Sequence, residues 1–211
     1  MSYQRLFLCG NIGAGKSTLL KYLASTYSIK TEGEPIGRLI NIGGHNLLEE
    51  YYKDPPKYAV LFQIGALNEY FKRDHRIVST KQHQHVVCDR VTDEVAIFTN
   101  VMRQTGLLDS VQYSYIMQCY EEKKAILERA GHSDSKFVYV NTEPSVCIQR
   151  VGQRGRMEEM SARDSYMNDL IFKLDNEYNM WMRKFEKDRV VYTKGLEDMQ
   201  LKSKFDSLFH M

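Results

Sequence analysis

The sequence predicts an α/β fold in one domain, built on a five-stranded parallel sheet, and three observations predict it. Short apolar runs alternate with stretches of helical period, the first run opens through a glycine-rich turn into a helix, and no repeat or linker interrupts the 211 residues. At about 150 residues per domain, that length suits a single domain over 1–211. The 43% hydrophobic and 27% charged content supports a packed core and excludes disordered or collagen-like classes.

In chain order, Arg5–Cys9 reads as a buried strand and Lys16–Thr26 as the helix after the glycine turn. A weaker strand is expected at Ser28–Glu32, then helices at Asn46–Tyr52 and Lys57–Arg73 parted by Asp54-Pro55-Pro56. Strand Val86–Asp89 leads to helices Val95–Gln104 and Ser110–Ala130, and strand Lys136–Asn141 to helix Ser145–Gln153. A long helix, Ser161–Lys187, precedes the last strand, Arg189–Thr193. Such alternation implies right-handed crossovers with helices on both faces, so a ligand is expected beyond the carboxyl ends of the strands.

Charge narrows the ligand. With 29 basic against 27 acidic side chains, a net charge of +2 is too small to advertise nucleic acid or a membrane surface, and a small anion is the expected partner. No run approaches the roughly 18 apolar residues of a membrane span, and the first apolar stretch starts too early for a signal peptide. Cys9, Cys88, Cys119 and Cys147 lie far apart without a Cys-x-x-Cys pair, which fits reduced thiols and a cytoplasmic location.

The turn after the first strand, Gly10-Asn11-Ile12-Gly13-Ala14-Gly15-Lys16-Ser17, fits the phosphate-loop pattern and continues through Thr18 into a helix. Its glycines allow backbone N–H groups to close around phosphate oxygens at a helix N-terminus. Lys16 is expected at the β- and γ-phosphates of ATP and the Ser17 hydroxyl at Mg²⁺. Glu34, held extended before Pro35, is a general-base candidate for a substrate hydroxyl. Asp89 closes the third strand as a second Mg²⁺ ligand, and Arg90 beside it suits a phosphate or the attacking oxygen. The stretch from Arg150 to Glu159, with Arg154, Arg156, Gly152 and Gly155, reads as a mobile cationic lid over residues 152–159. No Asn-Lys-x-Asp occurs, so a regulatory GTPase is not expected.

Five blocks make the chain similar to the deoxynucleoside kinase family of the thymidine-kinase-2, deoxycytidine and deoxyguanosine kinase type. They are Gly10–Thr18, Glu34-Pro35, Asn46–Gln63, Asp89-Arg90 and Gln153–Glu159, and the resemblance, which implies a P-loop kinase fold, covers nearly the whole chain from Leu6 to Asp198. The Asn46–Gln63 block separates the family from mononucleotide kinases. The resemblance implies Mg-ATP-dependent phosphorylation of a deoxyribonucleoside 5′-hydroxyl, with Glu34 as base and Arg90 positioning the same end. It implies Tyr52 and Glu159 at the 3′-hydroxyl, Gln63 reading the base, Tyr70 with Ala66 shaping the base pocket, and Glu94 at a base edge. A homodimer is implied as well. The chain departs from the common Glu-Arg-Ser in carrying Asp89-Arg90-Val91. A thymidylate-type kinase would need extra cations across Arg38–Lys57, and an ATP sensor would leave Glu34, Gln63 and Glu159 without work. His83-Gln84-His85 reads as a polar lead into the third strand, and the ten methionines as packing residues.

Overall fold

The computed structural model describes residues 4–80, 84–156, 164–185 and 187–209. Five strands, β1 (Arg5–Cys9), β2 (Lys30–Glu32), β3 (Val86–Asp89), β4 (Lys136–Val140) and β5 (Val190–Thr193), form one parallel sheet in the order β2-β3-β1-β4-β5. The central strands β1, β3 and β4 are buried along nearly their whole length, as continuous apolar runs covered on both faces should be. In the register Leu8 pairs with Asp89, so the ends of β1 and β3 open side by side where the phosphate loop begins.

Eight α-helices are described: α1 (Lys16–Thr26), α2 (Leu47–Lys53), α3 (Pro55–Ser79), α4 (Glu94–Gln104), α5 (Ser110–Arg129), α6 (Pro144–Arg154), α7 (Asp164–Met182) and α8 (Leu201–Phe209). Local chemistry sets several boundaries. The Asn46 side chain accepts the Glu49 N–H at 3.1 Å to start α2. Asp54 closes α2 and opens α3, accepting the Lys57 N–H at 3.3 Å, with Pro55 in the first turn where its missing N–H costs nothing. A reciprocal capping box between Asp109 and Gln112 starts α5.

The differences from expectation have physical causes. α3 continues past Arg73 to Ser79 because Ile77 and Val78 carry its buried stripe onward at helical spacing. α7 ends at Met182, short of Lys187. The helix α8 was not anticipated; Leu201, Phe205 and Phe209 recur every fourth residue and are buried, with Phe209 packed edge-on to Tyr27 at 5.0 Å between ring centroids. The cationic stretch is not loop from Arg150 onward: α6 carries Arg150, Gly152 and Arg154, and the chain leaves the helix at Gly155, whose φ is +57°. His85 Nδ1 accepts the Gln4 N–H at 3.1 Å and so leads into β3 as a polar tie, while His83 lies outside the described residues. Among the described residues no helix is long and apolar enough to cross a membrane, and all four cysteines are free thiols.

Candidate active site

The first wall of the site is the phosphate loop, and close packing explains its glycines. A Cβ on Gly10 would stand 2.7 Å from the Val140 carbonyl oxygen, and one on Gly13 2.5 Å from that of Cys147; both residues have positive φ. Asn11 ties the loop to α7 by donating to the Ile171 carbonyl at 2.8 Å. Lys16 is buried, and its Nζ donates to the Gly10 and Asn11 carbonyls at 2.8 Å each. Burial, with Arg90 nearby, lowers the Lys16 pKa. Ser17 and Thr18 are exposed toward the cleft at the start of α1. On the α6 side, Arg150 Nη1 donates to the Ala14 carbonyl at 3.3 Å and Nη2 pairs with Glu197.

The second wall is the end of β3. Among the described residues Arg90 is the only non-glycine with a left-handed backbone, at φ +64°. That turn separates two neighbouring side chains. Asp89 Oδ2 accepts the Ser17 hydroxyl at 2.7 Å, while Asp89 Oδ1 is buried with no hydrogen-bond partner. Arg90 Nε lies 2.9 Å from Glu34 Oε1, and its Nη1 reaches the Tyr178 hydroxyl at 3.1 Å and Glu94 at 3.4 Å.

Glu34, just before the short 3-10 turn Pro35–Arg38, also accepts the Tyr70 hydroxyl at 2.6 Å. Burial alone would raise its pKa, but Arg90, the Tyr70 hydroxyl, Lys16 and Arg156 outweigh burial and hold the carboxyl below the usual glutamate range. An ionised carboxylate at neutral pH can accept a proton. Glu94 shows the opposite balance: burial dominates and its pKa is raised.

Between these walls lies a cavity of about 380 Å³ lined by residues 12–18 of the loop, by Glu34, Asp89 and Arg90, and by Tyr52, Phe62, Gln63, Ala66 and Tyr70 from α2 and α3. The α4 residues Phe98 and Met102 add apolar wall, and Arg150, Arg154 and Arg156 line it from the α6 side. Cations and loop N–H groups therefore cluster at the strand ends, and a mostly apolar slot bearing the Gln63 amide extends from them. That division suits a ligand with one anionic partner and one flat polar ring.

Glu94 lines the cavity, and both its oxygens are engaged within the protein, accepting from Gly10 N–H at 3.0 Å, the Tyr178 hydroxyl at 2.8 Å and Arg90, so that it braces the loop against β3. Tyr70 lines the cavity with Ala66 and donates its hydroxyl to Glu34. Glu159 lies outside the described residues, as do Met157 and Glu158. Tyr178 escaped the sequence reading because a tyrosine on a long amphipathic helix has the signature of a packing residue.

The family model described as deoxynucleoside kinase matches residues 6–209. The deoxyguanosine kinase of Lactobacillus acidophilus is 28% identical over 182 residues, covering 86% of this chain and 76% of that one. Deoxycytidine kinase 2 of Gallus gallus is 26% identical over 223 residues, covering 94% of this chain and 80% of that one. The solved structure of M. mycoides deoxyadenosine kinase with bound dATP superposes with a TM-score of 0.75 at 21% identity, covering 96% of this chain and 98% of that chain, which shows a shared fold.

Proposed function

This chain belongs to the deoxynucleoside kinase family, and we propose that its cleft transfers the γ-phosphoryl group of ATP to the 5′-hydroxyl of a deoxyribonucleoside. The observation that carries the reading is that two paired contacts, Arg90 with Glu34 at 2.9 Å and Ser17 with Asp89 at 2.7 Å, line one cavity with the phosphate loop and Gln63. A phosphoryl transfer needs these groups together.

In this mechanism the nucleoside base lies in the apolar slot against Phe62, Ala66 and Phe98, with the Gln63 amide offering both donors and an acceptor to its edge. Tyr52 and Glu159 take the 3′-hydroxyl. Glu34 accepts the 5′-hydroxyl proton as the oxygen attacks, and Arg90, bonded to Glu34 through Nε, orients that oxygen. Lys16, Arg154 and Arg156 neutralise charge growing on the transferred group, while the loop N–H groups hold the donor phosphates. Asp89 and Ser17 fit Mg²⁺: they are hard oxygen donors already in contact, and Asp89 Oδ1 is buried without a partner. When bound, the ion supplies charge neutralisation between the donor phosphates.

The assembly belongs to the same proposal. A homodimer is supported by the half-exposed Phe172 and Met180 on α7, of which Met180 lines a second cavity of about 590 Å³ walled by α4, α5 and α7. Free thiols support a cytoplasmic site of action. The test of function is transfer from labelled ATP and Mg²⁺ to the four natural deoxynucleosides, beside the four monophosphates. Monophosphate product supports the reading, whereas diphosphate product alone, or no transfer to any acceptor, contradicts it.

A further inference from the structure

Two buried residues of α3 do not line the cleft yet bond the main chain at and beside three residues that do, Glu34, Asp89 and Arg90. Arg73 and Asp74 have side chains only 5% and 0% exposed, and neither lines the cavity. The Arg73 guanidinium donates through Nε to Asp74 Oδ1 at 2.8 Å, through Nη1 to the carbonyls of Asp89 at 2.6 Å and Gly33 at 3.2 Å, and through Nη2 to the carbonyl of Arg90 at 2.6 Å. Asp74 Oδ2 accepts both the N–H and the hydroxyl of Thr92 at 2.7 Å. One rigid fork thus grips the main chain immediately before Glu34, at Asp89 and at Arg90, and its partner carboxylate grips the chain two residues later.

The grip falls where the backbone needs it. Arg90 sits in a left-handed conformation that a side-chain-bearing residue disfavours, and such backbone persists only when its surroundings impose it. The turn sends the Asp89 carboxylate toward Ser17 and the Arg90 guanidinium toward Glu34. A planar fork with five donors in fixed directions can hold three carbonyls and a carboxylate at once, and a lysine, with three donors on a single nitrogen, cannot.

We propose that Arg73, fixed by Asp74, is a positioning residue for phosphoryl transfer, holding the ends of β2 and β3 so that Asp89 meets Ser17 and Arg90 meets Glu34. The assignment rests on the function proposed above. It predicts that Arg73 acts through Glu34 and Arg90, whereas a merely structural residue would act on folding alone.

A double-mutant cycle separates the two. The enzymes are wild type, Arg73→Lys, Glu34→Gln and the double variant; kcat is measured in each, and deoxynucleoside binding by calorimetry without ATP or Mg²⁺. We expect Arg73→Lys to lower kcat about 10- to 100-fold while the deoxynucleoside Kd moves less than about threefold, and to cost less than about threefold further in the Glu34→Gln background. Unchanged kcat in Arg73→Lys, or losses that multiply in the double variant, would overturn the assignment. Should Arg73→Lys fail to fold, Thr92→Val, which cuts one bond to Asp74, enters the same cycle with the same expected coupling. A wild-type protein that phosphorylates no deoxynucleoside overturns the functional reading and this assignment with it; an active wild type with an unaffected Arg73→Lys overturns only the assignment.

Discussion

A carboxylate becomes a usable base through its neighbours, and Glu34 has three kinds of them: a guanidinium at 2.9 Å, a tyrosine hydroxyl at 2.6 Å and the more distant charge of Lys16. Removing the neutral one is the mildest perturbation. Tyr70→Phe deletes a hydrogen bond to the charged form, worth about 1 kcal/mol, so kcat is expected to fall about fivefold. The acid limb of the kcat profile is expected to move to higher pH, because the protonated carboxyl loses less than the carboxylate; a pH–rate profile checks both. At this scale the sequence was legible wherever chemistry demands a fixed local pattern, as in Gly10–Ser17 or a strand ending in Asp89-Arg90. It was not legible where a residue's role depends on a distant partner. The bracing contacts of Glu94 are such a case: its partners Gly10 and Tyr178 are each 84 positions away, and nothing local announces them.

Elements hold the site through contacts that tolerate little change. Gly13 is the sharpest instance, since an added methyl would meet the main chain of α6 on a backbone with φ +79°. Gly13→Ala is expected to destabilise the fold by about 1–3 kcal/mol and to abolish ATP binding, read by urea unfolding and by nucleotide titration. α8 presents a different dependence. Phe205 is fully buried beneath it, so Phe205→Ala is expected to cost about 3–5 kcal/mol in urea unfolding, with the phosphate loop left intact. The strands and most helices were legible because buried parallel strands read as apolar runs and helices as amphipathic periods. α8 was not, because four apolar residues in a short polar segment make too weak a pattern without the Tyr27 ring that Phe209 packs against. The end of α6 misled for another reason: Gly152 and Gly155 looked alike in sequence, yet Gly152 stays helical while Gly155 turns left-handed and ends the helix.

At the scale of the molecule, charge couples the fold to pH. Burial would raise the pKa of Glu34, Asp93 and Asp198, but Arg90 with Tyr70, His132 with Tyr120, and Lys204 respectively outweigh it, taking Asp198 down to about 2. Carboxyls whose folded pKa lies below the unfolded value stabilise the protein above the unfolded pKa and lose that contribution as pH falls through the folded one. Glu94 has the opposite sign: with its pKa raised, its contribution is present below the unfolded value and declines as pH rises. Among the described residues Glu32 and Asp206 are lowered as well and Asp175 is raised like Glu94, so five lowered carboxyls against two raised predict a melting temperature that falls as pH drops from about 5 toward 2, checked by thermal melts across that range. The five-stranded parallel sheet, by contrast, was readable from the alternation of strands and helices, whereas the order β2-β3-β1-β4-β5 was not, because strand pairing depends on contacts between distant segments.

The central claim is that Glu34 takes the proton from a deoxynucleoside 5′-hydroxyl during transfer, and Glu34→Gln tests it most directly. The amide keeps the shape and hydrogen-bonding capacity but not the basicity, so turnover is expected to fall by about 10²–10⁴ while deoxynucleoside binding, measured by calorimetry on the same preparation, survives. A Glu34→Gln enzyme that binds deoxynucleoside and turns over at the wild-type rate would contradict the account.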